Sequence, residues 1–111
     1  MVKVLPQVPC MSAGETEMCA VDFTDRLDSG ELLTGTPVIV EVTSADLTLG
    51  NKSVSTGALT IYGATVATGM AVQFSVSGQL ADTLYTVSIT VSTDATVART
   101  FVRHATFYVE P

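Results

Sequence analysis

Thr83-Leu84-Tyr85-Thr86-Val87-Ser88-Ile89-Thr90-Val91-Ser92 alternates without a break from Tyr85 onward. Tyr85, Val87, Ile89 and Val91 fall on one side and Thr86, Ser88 and Thr90 on the other, the period of two that a half-buried strand requires. β-Branched side chains lose rotamer freedom in a helix and suit a pleated surface, so residue choice and period agree. The same rhythm recurs on both flanks. Upstream, Val72, Phe74 and Val76 alternate with Ala71, Gln73 and Ser75. Downstream, Arg99 to Val109 reads as a long final strand, with Phe101, Ala105, Phe107 and Val109 inward and Val102, His104 and Tyr108 outward.

Further from this centre the pattern persists more weakly. Cys19, Val21 and Phe23 alternate with Ala20, Asp22 and Thr24. Asp25 to Gly35 is a turn-rich connection, after which Pro37 opens a strand. Its Val38, Val40 and Val42 face one way, and Ile39, Glu41 and Thr43 the other. Leu47 and Leu49 mark a short strand followed by a Gly50-Asn51 turn, and Leu59 and Ile61 another, closed by Gly63. A Gly-containing link runs through Gly69. The sum is about seven strands with no sustained helical stripe. A sheet with one apolar face needs a second layer, and without helices that layer is another sheet. The sequence therefore predicts an all-β sandwich over residues 15–111. Residues 1–14, with Pro6, Pro9 and Gly14 and no clear period, read as an extended N-terminal arm.

Leu80-Ala81-Asp82-Thr83-Leu84-Tyr85 refines the class. A Tyr at the start of this strand, turning its hydroxyl back to the loop before it, marks immunoglobulin-like and fibronectin-III-like sandwiches. The spacing predicts that arrangement for Tyr85.

Composition narrows the function. The 111 residues include 47 % hydrophobic and only 14 % charged side chains, against disorder. A net charge of −6 repels phosphate backbones and anionic lipid, so neither nucleic acid nor a membrane is an expected partner. The start meets Pro6 and Pro9 before any export-type apolar core forms, and synthesis in the cytosol is the expectation. That setting favours free thiols at Cys10 and Cys19; Cys19, in register with Val21 and Phe23, reads as a small buried hydrophobe.

Candidate chemistry is sparse. His104 is the lone histidine, outward-facing, with no G-x-S-x-G or comparable context to supply a nucleophile. Glu15, Glu17, Asp22, Asp25, Asp28 and Glu31 cluster in sequence but do not match a calcium loop, and read as a solvated acidic surface. Lys52 after Gly50-Asn51 lacks a phosphate-loop pattern. No catalytic, cofactor-binding or metal-ligating residue is assigned, and the expectation is a non-enzyme without cofactor.

The outward positions are more telling. Thr86, Ser88, Thr90, Ser92, Ala71, Gln73 and Ser75 carry no charge, and Asp82 is the single charged residue from Gly57 to Thr93. Solitary sheet proteins usually guard exposed strands with charge, so this surface reads as contact with other subunits.

Three stretches carry a resemblance: Val21-Asp22-Phe23-Thr24-Asp25-Arg26-Leu27, Ser77-Gly78-Gln79-Leu80-Ala81-Asp82-Thr83-Leu84-Tyr85-Thr86-Val87 and Ala98-Arg99-Thr100-Phe101-Val102-Arg103. With the arm and the Thr/Ser-rich strands, residues 18–109 resemble small Ig-like virion structural proteins of tailed bacteriophages. The chain departs from that family in having no Trp and in a loop whose one glycine is Gly78. The resemblance implies a protein that decorates or cements the capsid, or attaches a fibre or tail component. It would be assembled as a homo-oligomer with other virion proteins and located in the virion after synthesis in the host cytoplasm. A rival expectation is a carbohydrate- or host-surface-binding adhesion module, for which Tyr62 and Tyr108 are the aromatic candidates.

Overall fold

The computed structural model describes residues 15–61 and 63–109, together with the backbone of two short N-terminal strands. Those are β1 (Lys3–Val4) and β2 (Cys10–Met11). The chain continues through β3 (Glu17–Asp22), a single 3-10 turn (Thr24–Arg26), β4 (Leu33–Glu41), β5 (Thr48–Val54), β6 (Leu59–Ile61), β7 (Ala64–Val66), β8 (Ala71–Ser77), β9 (Thr83–Thr93) and β10 (Thr100–Val109). Strands account for 60 % of the structure, with nearly no helix, as the alternation requires.

Two four-stranded sheets form, in the orders β1-β3-β8-β5 and β2-β10-β9-β4, and β6 pairs with β7 as a separate hairpin. Pairing is antiparallel except between β10 and β2. The sheets share one core. Cys19, Val21, Val72, Phe74 and Val76 come from the first, and Ile39, Tyr85, Val87, Ile89, Val91, Phe101, Ala105, Phe107 and Val109 from the second. Every residue named as inward on β9 and β10 is buried.

Within residues 1–14, read as an extended arm, Lys3–Val4 pairs with β3 and Cys10–Met11 with β10, and the other residues lie outside the described ones. Three readings are corrected. β4 begins at Leu33 rather than Pro37: Gly35, at φ +78°, lets the strand bulge between Thr34 and Val38. Gly50-Asn51 is not a turn but a bulge inside β5, where Asn51 takes φ +49° and its Nδ2 donates to Ser75 Oγ at 3.2 Å. The link to Gly69 contains β7, so the Leu59–Ile61 strand doubles back as a hairpin.

That hairpin and bulge alter the outside of the first sheet. Ile61 and Val66 pack on Ala71, with Ala20, Leu59 and Met70 around them. Ala71 and Ser75, expected outside, are therefore buried, and Gln73 is half-buried.

The Tyr85 corner is present. Its buried hydroxyl accepts a hydrogen bond from Leu80 N–H at 2.9 Å and donates one to Asp46 Oδ2 at 3.0 Å. Gly78, at φ +81°, sits against the same loop; a Cβ there would stand 2.6 Å from the Asp46 carbonyl oxygen. Burial raises the Tyr85 pKa, and the Asp46 carboxylate adds to the rise.

Candidate interaction surface

The outward face of the β4–β9–β10 sheet is laid out in rows by its register. Val38, Thr90 and Val102 share one row, and Val40, Ser88 and His104 the next. Val42 follows, its N–H donating to Thr86 O at 2.9 Å, beside Thr86 and Thr106, whose hydroxyls bond at 3.0 Å. Leu84 and Tyr108 complete the series. Val38, Val40, Val42, Leu84 and Val102 are each more than half exposed. Among the described outward positions of these strands none is Asp, Glu, Lys or Arg. The face is continuous, apolar and hydroxylic, rather than a scatter of single exposed valines.

The valines point outward because the neighbours in sequence are needed within. Pro37 and Ile39 enter the core side of β4, and Glu41 turns the same way to hold the following loop. Its carboxylate accepts from the hydroxyls of Thr43, at 2.7 Å, and Ser44, and from Leu47 N–H at 3.0 Å. Burial opposes ionisation of Glu41, but these bonds outweigh it and lower its pKa. Sequence alternation separated the two sides of β4 without telling which was buried. The missed signal was Glu41, whose ring of short polar neighbours gives it a task other than solvation.

A second constellation closes one end of the molecule. Arg26, Arg99 and Arg103 are all the arginines of the chain. Arg26 and Arg99 lie 4.9 and 5.0 Å from the Phe101 ring centre, and Arg103 lies 5.0 Å from that of Phe23. The two rings stack at 6.4 Å between centroids. Arg103 is only 5 % exposed, an inward residue that alternation between Phe101 and Ala105 would have located. Its Nη1 donates to Asp22 O at 2.9 Å and reaches Asp25 Oδ1 at 3.4 Å. Burial lowers the Arg103 pKa, against the pull of Asp25.

The acidic segment is the solvated surface expected of it at Glu15, Asp25 and Asp28, which are exposed, but not at Asp22 and Glu31. Asp22 is buried, its Oδ1 accepting from Thr24 N–H at 2.8 Å and from the Thr24 hydroxyl at 2.6 Å, which fixes the 3-10 turn. Glu31 is buried too. It takes a bidentate pair from Arg99 and a bond from Asp28 N–H at 2.9 Å, which together hold its carboxyl down at about 2. Beside it, Asp28, Ser29, Gly30, Asp94, Ala95 and Thr96 line an open cleft of about 330 Å³. Among the described residues no three metal-ligating side chains converge. Asp22 holds the turn, and Asp25, Asp28 and Glu31 face the arginines.

The remaining candidates fall apart from one another. His104 is exposed in the middle of the valine face. Cys19 is a free thiol inside β3, pushed up to about 12 by burial and, secondarily, by Glu17. Cys10 pairs through its backbone opposite Tyr108. Lys52 is half-buried on β5. Tyr108 is half-buried, with its hydroxyl donating to Asp82; Tyr62 lies outside the described residues. No protein-family model, curated protein or solved structure matches the chain.

Proposed function

We propose that this chain is a non-enzymatic, immunoglobulin-like building module of a tailed-phage virion. It decorates or cements the capsid, or attaches a fibre or tail component, through contacts with copies of itself and with other virion proteins. The observation that carries this reading is the uncharged face of Val38, Val40, Val42, Leu84 and Val102 on a chain of net charge −6. Leaving this much apolar surface in water has a solubility cost that a subunit contact removes.

Two features support the immunoglobulin type. The first strand is split, β1 pairing antiparallel with β3 in one sheet and β2 parallel with β10 in the other. The Tyr85 hydroxyl returns to Leu80 at the start of β9. The resemblance of residues 18–109 to Ig-like virion proteins supplies the setting.

Gradient-purified particles from the producing cells, compared with the soluble lysate by quantitative mass spectrometry, test the proposal. The chain is expected in the particle fraction in many copies. Recovery in the soluble fraction alone overturns it. Removing residues 1–14 is a poor substitute for this experiment, because it would also strip β1 from β3 and β2 from β10.

A further inference from the structure

We infer that β9 is the segment through which partly opened copies of this chain stack into cross-β fibres, and that the docking of β10 withholds it. The inference stands apart from the building role proposed above. It concerns what the uncharged strand does when the sandwich opens.

The partner is the same segment of another copy, and charge is what selects it. In-register stacking repeats every side chain about 4.7 Å along a fibre. One ionised group per chain thereby becomes a row of like charges, so a stacking segment must have none. Glu17 and Asp22 exclude β3, Glu41 excludes β4, Lys52 excludes β5 and Arg103 excludes β10. β1, β2, β6 and β7 have three residues or fewer. β9 runs for eleven residues without charge, glycine or proline, and eight of them are β-branched or aromatic. β8 is also uncharged but stops after seven residues, at Ser77 before Gly78. Asp82 and Asp94 stand immediately outside the two ends of β9, where a charge limits stacking without breaking the strand.

The two sides of β9 suit the two contacts of a steric zipper. Tyr85, Val87, Ile89 and Val91 form an apolar row that interdigitates without water, and Thr86, Ser88 and Thr90 form a hydroxyl row. Folding removes both the apolar row and the main chain from reach. The apolar row is buried in the shared core. β10 takes one edge of β9 from Thr83 to Ser92, and β4 takes much of the other on both sides of its bulge.

These two guards differ in their place along the chain. β4 precedes β9, whereas β10 follows it, so one edge of β9 stays open until residues 100–109 are made and docked. An unpaired strand edge in a half-folded chain is a template for association. Stacking of β9 therefore competes with the docking of β10.

The full chain, held at about 50 µM at the midpoint of its thermal unfolding, tests the inference. Wild type is expected to form thioflavin-T-positive fibres with a diffraction spacing of about 4.7 Å. Their protease-resistant core, identified by mass spectrometry, should contain residues 83–93. Thr90→Lys places a charge on the outward side of β9 and should lengthen the lag before fibres roughly 10-fold or more, at the variant's own midpoint. Val97→Lys, at an exposed residue of the β9–β10 loop, adds the same charge to the net −6 and should behave as wild type. Circular dichroism at room temperature checks that each variant folds; Ser92→Lys, at an exposed position of β9, replaces Thr90→Lys if it does not. Aggregates that bind no thioflavin T, a resistant core outside residues 83–93, or equal lags for Thr90→Lys and Val97→Lys overturn the inference. So does a wild type that stays soluble at its midpoint.

Discussion

The two sheets turn their outer faces to very different surroundings. Both present small, uncharged side chains: Ala71, Gln73 and Ser75 on β8, Thr86, Ser88, Thr90 and Ser92 on β9. On the first sheet the chain covers its own surface, laying the β6–β7 hairpin over Ala20 and Ala71 and reaching Asn51 to Ser75. On the second nothing in the described chain lies over Val38, Val40 or Val102. Absence of charge on a strand therefore occurs in two settings, under the chain's own cover and on an open face. Only the path of the connecting segments tells them apart.

Substitutions separate the two cases. The largest effect is expected under the hairpin. Ala71→Glu buries a carboxylate between β8 and the β6–β7 hairpin and should cost more than about 3 kcal/mol in urea denaturation, or prevent folding. A variant as stable as wild type would show that the cover is loose. Ile61→Ala, in the same cluster, should cost about 2–3 kcal/mol, because the hairpin can settle partly into the space left behind. Away from both faces, Tyr85→Phe should cost on the order of 1 kcal/mol, since Leu80 N–H and Asp46 lose a partner at a buried corner. An unchanged urea midpoint would mean that water replaces the hydroxyl. The smallest effect belongs to the open face: Val102→Glu should shift monomer stability by less than about 0.5 kcal/mol. A larger loss would place Val102 in the fold's own packing and erase the contrast.

Strand positions and inward residues of β3, β8, β9 and β10 were legible because each carries several turns of alternation with large apolar side chains. β7 was not, since Ala64-Thr65-Val66 is too short to establish a period. Gly50-Asn51 misled because the left-handed backbone it favours serves a turn and a bulge equally well. Alternation with Phe101 and Ala105 places Arg103 inward, while its charge argues for the outside. A buried guanidinium is unusual, and what makes it tolerable, the Phe23 ring and the Asp22 carbonyl, comes from a distant strand. The burial of Glu31 has the same origin, since Arg99 lies far along the chain from it. The contact reading rested on Thr and Ser residues. The valines that give the face its apolar character stayed hidden, because the side of β4 that enters the core is chosen by Ile39 and Glu41 together with the opposite sheet.

The thiol of Cys19 gives the molecule an internal clock. A sulfhydryl held protonated between two layers reacts with a maleimide only while those layers are apart, so its labelling rate counts the openings of the β3–β8 sheet from the β9–β10 sheet. With Cys10 replaced by Ser, one probe in one place would time how often the sandwich breathes, alone and in company.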